Sequence, residues 1–394
     1  MSILKTSVSG IEFENPFILA SAPPTASVES IDKAFESGWG GAAIKTITPD
    51  DLEMTEASPR YITLKSKDRI IGFQNIELLS HKTVQYWCNG IRYLKKKHPS
   101  KVIIASIMAP IQKEEWQKLV ISLNDTPIDA YELNFSCPHG MPEKNIGMAI
   151  GTNAEISANI TSWVKEVAAK PVFVKLTPNV TYIPYIAKAV EEAGCDGFAA
   201  INTVQGFMGM NLETLEPNLS VDGCSTYGGC SGEIIKPIGF RCVAQIRQNS
   251  NLPILGMGGI TNWEDAAQYI MLGADVVQVC TEVMLNGFSI IGGLKSGLMN
   301  YLKEKGFEDV SKLKNIAIPK IKPHKYLNKE YHLYPKIDEK KCVKCLKCVK
   351  ICSESEHQAL KKGESNIEVN KNVCVGCSLC SLVCPKNAIE MKKI

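Results

Sequence analysis

The sequence predicts an α/β fold: a (β/α)8 TIM barrel followed by a small cysteine-rich domain. Three observations carry this reading. Eight short apolar runs recur through residues 1–308, helix-like patterns lie between them, and eight of the 15 cysteines crowd into the last 55 residues. At 394 residues, 45% apolar and 22% charged, the chain is long enough for one large domain and one small one.

The apolar runs are 16–21, 41–46, 102–108, 131–136, 172–177, 197–203, 253–259 and 274–280. They are rich in Val and Ile and apolar on both faces, as parallel strands covered by helices must be. Helical patterns such as 154–169, 183–193 and 263–272 separate them. Eight such units argue for a closed barrel, with a doubly wound open sheet as the competing arrangement. Two connections, 47–101 and 204–240, are too long for plain loops. In a barrel they overhang the C-terminal mouth and shape a pocket. Residues 309–335, with Pro319, Pro323 and Pro335 among many lysines, read as an extended tether. A docking strip for an acidic partner is the other reading of that segment.

The small domain, 336–394, holds two cysteine runs of one spacing: Cys342, Cys345, Cys348, Cys352 and Cys374, Cys377, Cys380, Cys384. Both read C-x2-C-x2-C-x3-C, by which bacterial ferredoxins wrap two [4Fe–4S] clusters. Three closely spaced thiolates grip one cube and the fourth reaches the other, so Cys352 is assigned to the second cluster and Cys384 to the first. Pro385 follows the second run; Ser353 replaces that proline after the first. Zinc ribbons would show separated C-x2-C pairs, and disulfides need an oxidising compartment. No export signal and no long apolar run appears, so a cytoplasmic protein with no membrane span is expected. Net charge of +3 gives no argument for nucleic acid or membrane. Of the scattered cysteines Cys88, Cys137, Cys195, Cys224, Cys230, Cys242 and Cys280, most read as small buried hydrophobes.

Barrel enzymes collect their reactive groups at the C-terminal strand ends. Strand one ends in Ala20-Ser21-Ala22, small enough for a flat ring to approach the backbone. Strands two and five carry Lys45 and Lys175, each costly inside a barrel without an anionic partner. Gly258-Gly259 and the start of the segment after Cys280 form the usual phosphate cradle. A cradle beside two lysines points to flavin mononucleotide (FMN), whose reduced ring is anionic. Flavin also reconciles clusters, which pass single electrons, with organic reductions that take two. The amides Asn75, Asn134 and Asn202 offer donor and acceptor together, which suits a ring with alternating C=O and N–H groups. Cys137, in the loop after strand four, reads as a proton donor, since an ordinary thiol with a pKa of about 8.5 is protonated at neutral pH.

Together, Asn134-Phe135-Ser136-Cys137-Pro138-His139-Gly140-Met141, Lys175-Leu176-Thr177-Pro178-Asn179-Val180, Asn202-Thr203-Val204, Thr226-Tyr227-Gly228-Gly229-Cys230-Ser231-Gly232 and Gly72-Phe73-Gln74-Asn75-Ile76-Glu77 closely resemble the dihydropyrimidine dehydrogenase family. With the cysteine runs, the likeness covers nearly the whole chain and is closest to the FMN and iron–sulfur catalytic subunit of the bacterial two-subunit form. The resemblance implies reduction of uracil or thymine to the 5,6-dihydropyrimidine, with hydride arriving at C6 and Cys137 protonating C5. It assigns Asn75, Asn134, Ser136, Asn202 and Thr203 to the pyrimidine. It assigns Ser21, Lys45, Thr46, Lys175, Gly232, Met257, Gly258, Gly259, Cys280 and Thr281 to FMN. His139 falls in the family's active-site loop, and Phe135 stands where many members have Leu. No G-x-G-x-x-G follows a strand, so no dinucleotide fingerprint is read here; the resemblance implies a separate subunit bearing FAD and the NAD(P)H site, in a heterotetramer. A dihydroorotate dehydrogenase of the same barrel, an electron-transfer module without pyrimidine chemistry and a reductase of another conjugated ring are the competing readings.

Overall fold

The computed structural model describes residues 3–52, 54–135, 146–355 and 357–393. The chain forms two compact units, 1–320 and 321–394.

In the first, eight parallel strands close into a barrel, which removes the open-sheet alternative. They are β1 (Phe17–Leu19), β2 (Gly41–Ala43), β3 (Val102–Ile107), β4 (Ala130–Asn134), β5 (Val172–Leu176), β6 (Gly197–Ala200), β7 (Ile254–Met257) and β8 (Val276–Val279). Each pairs with the next in sequence, and β8 returns to β1. Seven fall inside the apolar runs of the sequence, trimmed by a few residues at their ends, and β4 begins one residue before its run. Strand alternation divides their side chains into two cores. One set faces the surrounding helices, where Trp39, Trp87 and Trp116 are fully buried. The other fills the lumen with Ile18, Ala43, Val102, Ile104, Ala130, Phe173, Ala199, Leu255 and Val276. The hairpin Thr6–Val8/Ile11–Phe13 adds Val8 and Phe13 to this inner core.

Helix boundaries follow local chemistry. Asn262 caps Trp263–Met271 by accepting from the Asp265 N–H, and Ser27 caps Val28–Ser37 by accepting from Ser30. Gly38 ends the latter helix at φ 107°, where a side chain would be strained.

The two long connections are not independent flaps. Tyr61–Ser66 and Arg69–Asn75 come from the first, Val204–Gly206 and Gly228–Ser231 from the second. They join in one four-stranded antiparallel sheet, with Gly229 opposite Asn75 and Ser231 opposite Phe73.

In the segment read as a tether, Val310 and Leu313 are buried in the barrel core. The second unit pairs Tyr334–Ile337 with Ile389–Lys392, and Leu360–Lys362 with Ile367–Val369. Its buried core is small: Cys348, Leu360, Ile367, Cys380 and Ile389. Among the described residues, no helix is long and apolar enough to cross a membrane.

Candidate flavin and iron–sulfur sites

At the C-terminal ends of the barrel strands the lumen changes character. Beyond the inward apolar positions of five strands come polar ones: Lys45 after Ala43, Ser106 after Ile104, Glu132 and then Asn134 after Ala130, Lys175 after Phe173, and Gln278 after Val276. The period of two places them all in the lumen. Lys45, Asn134, Lys175 and Gln278 form the floor of a cavity of about 1260 Å³, including its open mouth, roofed by the four-stranded sheet.

Ser21, Lys45, Thr46, Lys175, Gly232, Met257, Gly258, Gly259, Cys280 and Thr281 all line this cavity. Asn75, Asn134, Asn202 and Thr203 line it too. Ser136, Cys137 and His139 lie outside the described residues.

The site is tied together by side-chain hydrogen bonds. Ser21 Oγ and Thr46 Oγ1 are 3.1 Å apart, and Thr46 Oγ1 lies 3.0 Å from Ser106 Oγ. Asn134 Nδ2 donates to Thr46 Oγ1 at 2.8 Å, and Asn202 Nδ2 donates to Asn134 Oδ1 at 3.2 Å. On the roof, Asn75 Nδ2 donates to the Gly229 carbonyl at 3.2 Å. Thr281 Oγ1 donates to Ser231 Oγ at 2.8 Å, linking the mouth to the sheet.

Both lysines have carboxylate partners that the reading of sequence passed over. Lys175, 3% exposed, donates to Glu132 Oε1 at 3.3 Å, and Gln278 Nε2 donates to Glu132 Oε2 at 2.8 Å. Glu132 is 0% exposed. Lys45 is ion-paired with Glu77, which also accepts from the Tyr61 hydroxyl. Burial, and then Glu77, raise the Tyr61 phenol well above its usual value. The signals were present: Glu77 closes the Gly72–Glu77 motif, and Glu132 is the one charge in an otherwise apolar strand, two residues before Asn134.

These residues fit FMN. Gly232, Gly258 and Gly259 all have positive φ. A Cβ on Gly259 would lie 2.7 Å from the Gly232 carbonyl and 2.9 Å from Lys236 Cβ, so only bare backbone fits there. The buried Gln278 Oε1 has no partner within the described protein and stands free to accept from a bound ring. Burial pushes the Cys280 thiol up to about 11, so it meets a ligand as a neutral group. Cys88, Cys195 and Cys242 are buried hydrophobes, as expected; burial carries the Cys195 thiol up to about 12. Cys224 is exposed.

In the second unit, two voids each gather four thiols. Cys342, Cys345, Cys348 and Cys384 surround one of about 330 Å³. Cys352, Cys374, Cys377 and Cys380 surround one of about 410 Å³. The fourth cysteine of each run thus stands with the first three of the other, as the spacing implies. The backbone N–H of Ala359 donates to Cys352 Sγ at 3.2 Å, and that of Ala388 to Cys384 Sγ at 3.3 Å. Such bonds favour the thiolate form a cluster needs.

Residues 3–302 match the dihydroorotate dehydrogenase family and residues 335–391 a 4Fe-4S dicluster domain. The chain is 36% identical to the NAD-dependent dihydropyrimidine dehydrogenase subunit PreA of Escherichia coli K12, over 99% of this chain and 96% of that one. It is 35% identical to the chloroplastic NADP(+) dihydropyrimidine dehydrogenase of Arabidopsis thaliana, over 82% of this chain and 78% of that one. It is 35% identical to the catalytic subunit of the NAD(+) dihydroorotate dehydrogenase B of Pyrococcus abyssi, over 80% of this chain and 99% of that one. The strand-end cavity, the paired thiol voids and these relatives lead to one conclusion: the chain belongs to the dihydropyrimidine dehydrogenase/dihydroorotate dehydrogenase family of oxidoreductases, and is an enzyme of FMN and two [4Fe–4S] clusters.

Proposed function

We propose that the chain reduces the 5,6 double bond of uracil or thymine. The observation that carries this reading is the set of amides gathered at the cavity: Asn75 on the roof, Asn134 and Asn202 bonded to each other on the floor, with Thr203 beside them. Each amide offers a donor and an acceptor, the complement of a ring edge of alternating carbonyls and N–H groups. The likeness to the E. coli dihydropyrimidine dehydrogenase subunit over 99% of the chain supports it.

With FMN bound in the cavity, the chemistry available there would be hydride delivery to C6 of the ring. Lys175 and Lys45, held by Glu132 and Glu77, place positive charge beside the cofactor site without net charge in the lumen. The Gly232, Gly258 and Gly259 backbone would hold the phosphate of FMN. The three asparagines and Thr203 orient the pyrimidine, joined by Ser136. Cys137 delivers the proton to C5 as a neutral thiol. The clusters take electrons from a partner subunit carrying FAD and the NAD(P)H site, in a cytoplasmic heterotetramer.

The likeness to dihydroorotate dehydrogenase B favours a second reading, in which the ring carries a carboxylate. One experiment separates them. The cluster-loaded chain is reduced anaerobically with dithionite, then given uracil, thymine or orotate while the flavin band is followed. Reoxidation by uracil or thymine is expected, falling about 10²–10⁴-fold in Cys137→Ala. Reoxidation by orotate alone overturns the pyrimidine reading. Full turnover in Cys137→Ala overturns the cysteine acid, and fast turnover of the isolated chain with NADH overturns the separate partner.

A further inference from the structure

The near-neutral net charge conceals an asymmetry. Residues 321–394 hold 15 lysines against 8 carboxylates, so the cluster unit is strongly cationic and the barrel is anionic. Within that unit the lysines are not spread evenly. The two cysteine runs align residue for residue: Cys342-Val343-Lys344-Cys345-Leu346-Lys347-Cys348-Val349-Lys350-Ile351-Cys352 against Cys374-Val375-Gly376-Cys377-Ser378-Leu379-Cys380-Ser381-Leu382-Val383-Cys384. Lysines 344, 347 and 350 of the first run stand where the second has Gly376, Leu379 and Leu382.

The structure turns this into two unlike faces. Lys347 and Lys386 line the void of Cys342, Cys345, Cys348 and Cys384, whereas no lysine lines the other. Lys340, Lys344, Lys347 and Lys386 are exposed, and none makes an ion pair among the described residues. In their midst Val343 is 57% exposed and Cys345 is also exposed. An apolar centre with a polar rim is the make-up of a protein interface. At the second void the exposed large apolar residues are Val375 at 45% and Leu379 at 38%.

We propose that the face around Cys342, Cys345, Cys348 and Cys384 is the electron port of the chain, and that Lys344, Lys347 and Lys386 dock an acidic face of the flavoprotein partner there. The proposal rests on the reading that the clusters are fed from outside. One electron at a time leaves the reduced flavoprotein and would reduce the cluster, and no bond is made or broken. Two such transfers match the two electrons that a C=C reduction takes. Unpaired cations steer an acidic partner in solution and lose that effect as salt screens them. They also stabilise the reduced, more anionic cluster, setting its potential above that of its lysine-free neighbour.

The test uses the full, cofactor-loaded chain and a reduced acidic flavodoxin as probe, with cluster bleaching followed by stopped flow. The triple variant K344E/K347E/K386E is expected to lose at least about tenfold in second-order rate at low salt, converging on the unaltered protein at high salt. The control K322E/K361E/K362E carries the same charge change at exposed lysines elsewhere in the unit and should retain most of the rate. A redox titration read by electron paramagnetic resonance should show the potential of one cluster falling in the first variant and the other unmoved. Equal losses in both variants would reduce the effect to net charge and overturn the proposal, as would a rate indifferent to salt. Uracil reoxidation after dithionite reduction bypasses the port: its failure with an intact, salt-sensitive flavodoxin rate strikes the substrate assignment, and the converse strikes the port alone.

Discussion

The barrel and the cluster unit build their sites in opposite ways. The barrel buries dozens of aliphatic and aromatic side chains in a continuous shell, and its cavity is already walled by bonded side chains. The cluster unit's hydrophobic core gathers five buried residues, two of them cysteines. Its fold is organised around two voids, and the groups that fill them are the larger part of its core. The first unit makes a site because it folds; the second folds because its site is filled.

Stripping the clusters is the strongest way to test this difference. Iron chelation under reducing conditions should unfold residues 321–394 and leave the barrel's circular dichroism and melting transition in place. A barrel that unfolds with the tail would show the two are not separable. Next in size, the crossed thiols can be divided: Cys384→Ser should remove the cluster of Cys342, Cys345 and Cys348, and Cys352→Ser the other, each leaving one cluster by iron content and electron paramagnetic resonance. Loss of the opposite cluster in either variant would break the assignment.

Within the barrel, Glu132→Gln removes the buried carboxylate that pairs with Lys175 and should cost about 3–5 kcal/mol in denaturant unfolding. The double change E132Q/K175M should recover much of it. Ser21→Ala removes one hydroxyl from the floor network and should cost only about 0.5–1.5 kcal/mol. The smallest effect concerns pH. Cys195 and Cys280 have folded-state values raised to about 12 and about 11, against an ordinary 9.0. The folded barrel therefore binds more protons than the unfolded chain in that range, and stability that is full below pH 9 falls as pH rises through 11. Cys195→Ala should flatten that decline.

The same contrast explains what could be read without coordinates. The cysteine runs are local: ligand identity, count and even the exchange of fourth ligands follow from spacing within eleven residues. The eight strands were legible because parallel strands buried on both faces leave unbroken apolar runs, as in 172–176. The amides and lysines at the strand ends were legible for the same reason, being polar breaks in those runs. What escaped was non-local. Nothing in residues 61–75 announces that they pair with 228–231, because register between distant insertions is set by the fold and not by either segment. The carboxylate partners of Lys45 and Lys175 escaped likewise, since Glu77 and Glu132 lie 32 and 43 residues from the lysines they hold.

That shared sheet has a consequence for anyone recombining this scaffold. Asn75 sits on a strand whose neighbour, Gly228–Ser231, belongs to a different β-α unit, and a Cβ on Gly228 would lie 2.5 Å from the Asn75 carbonyl. The two insertions form a single module written in two places in the gene. A chimera that swaps one of them alone leaves a roof strand without its partner, so transplanted specificity requires both segments to travel together.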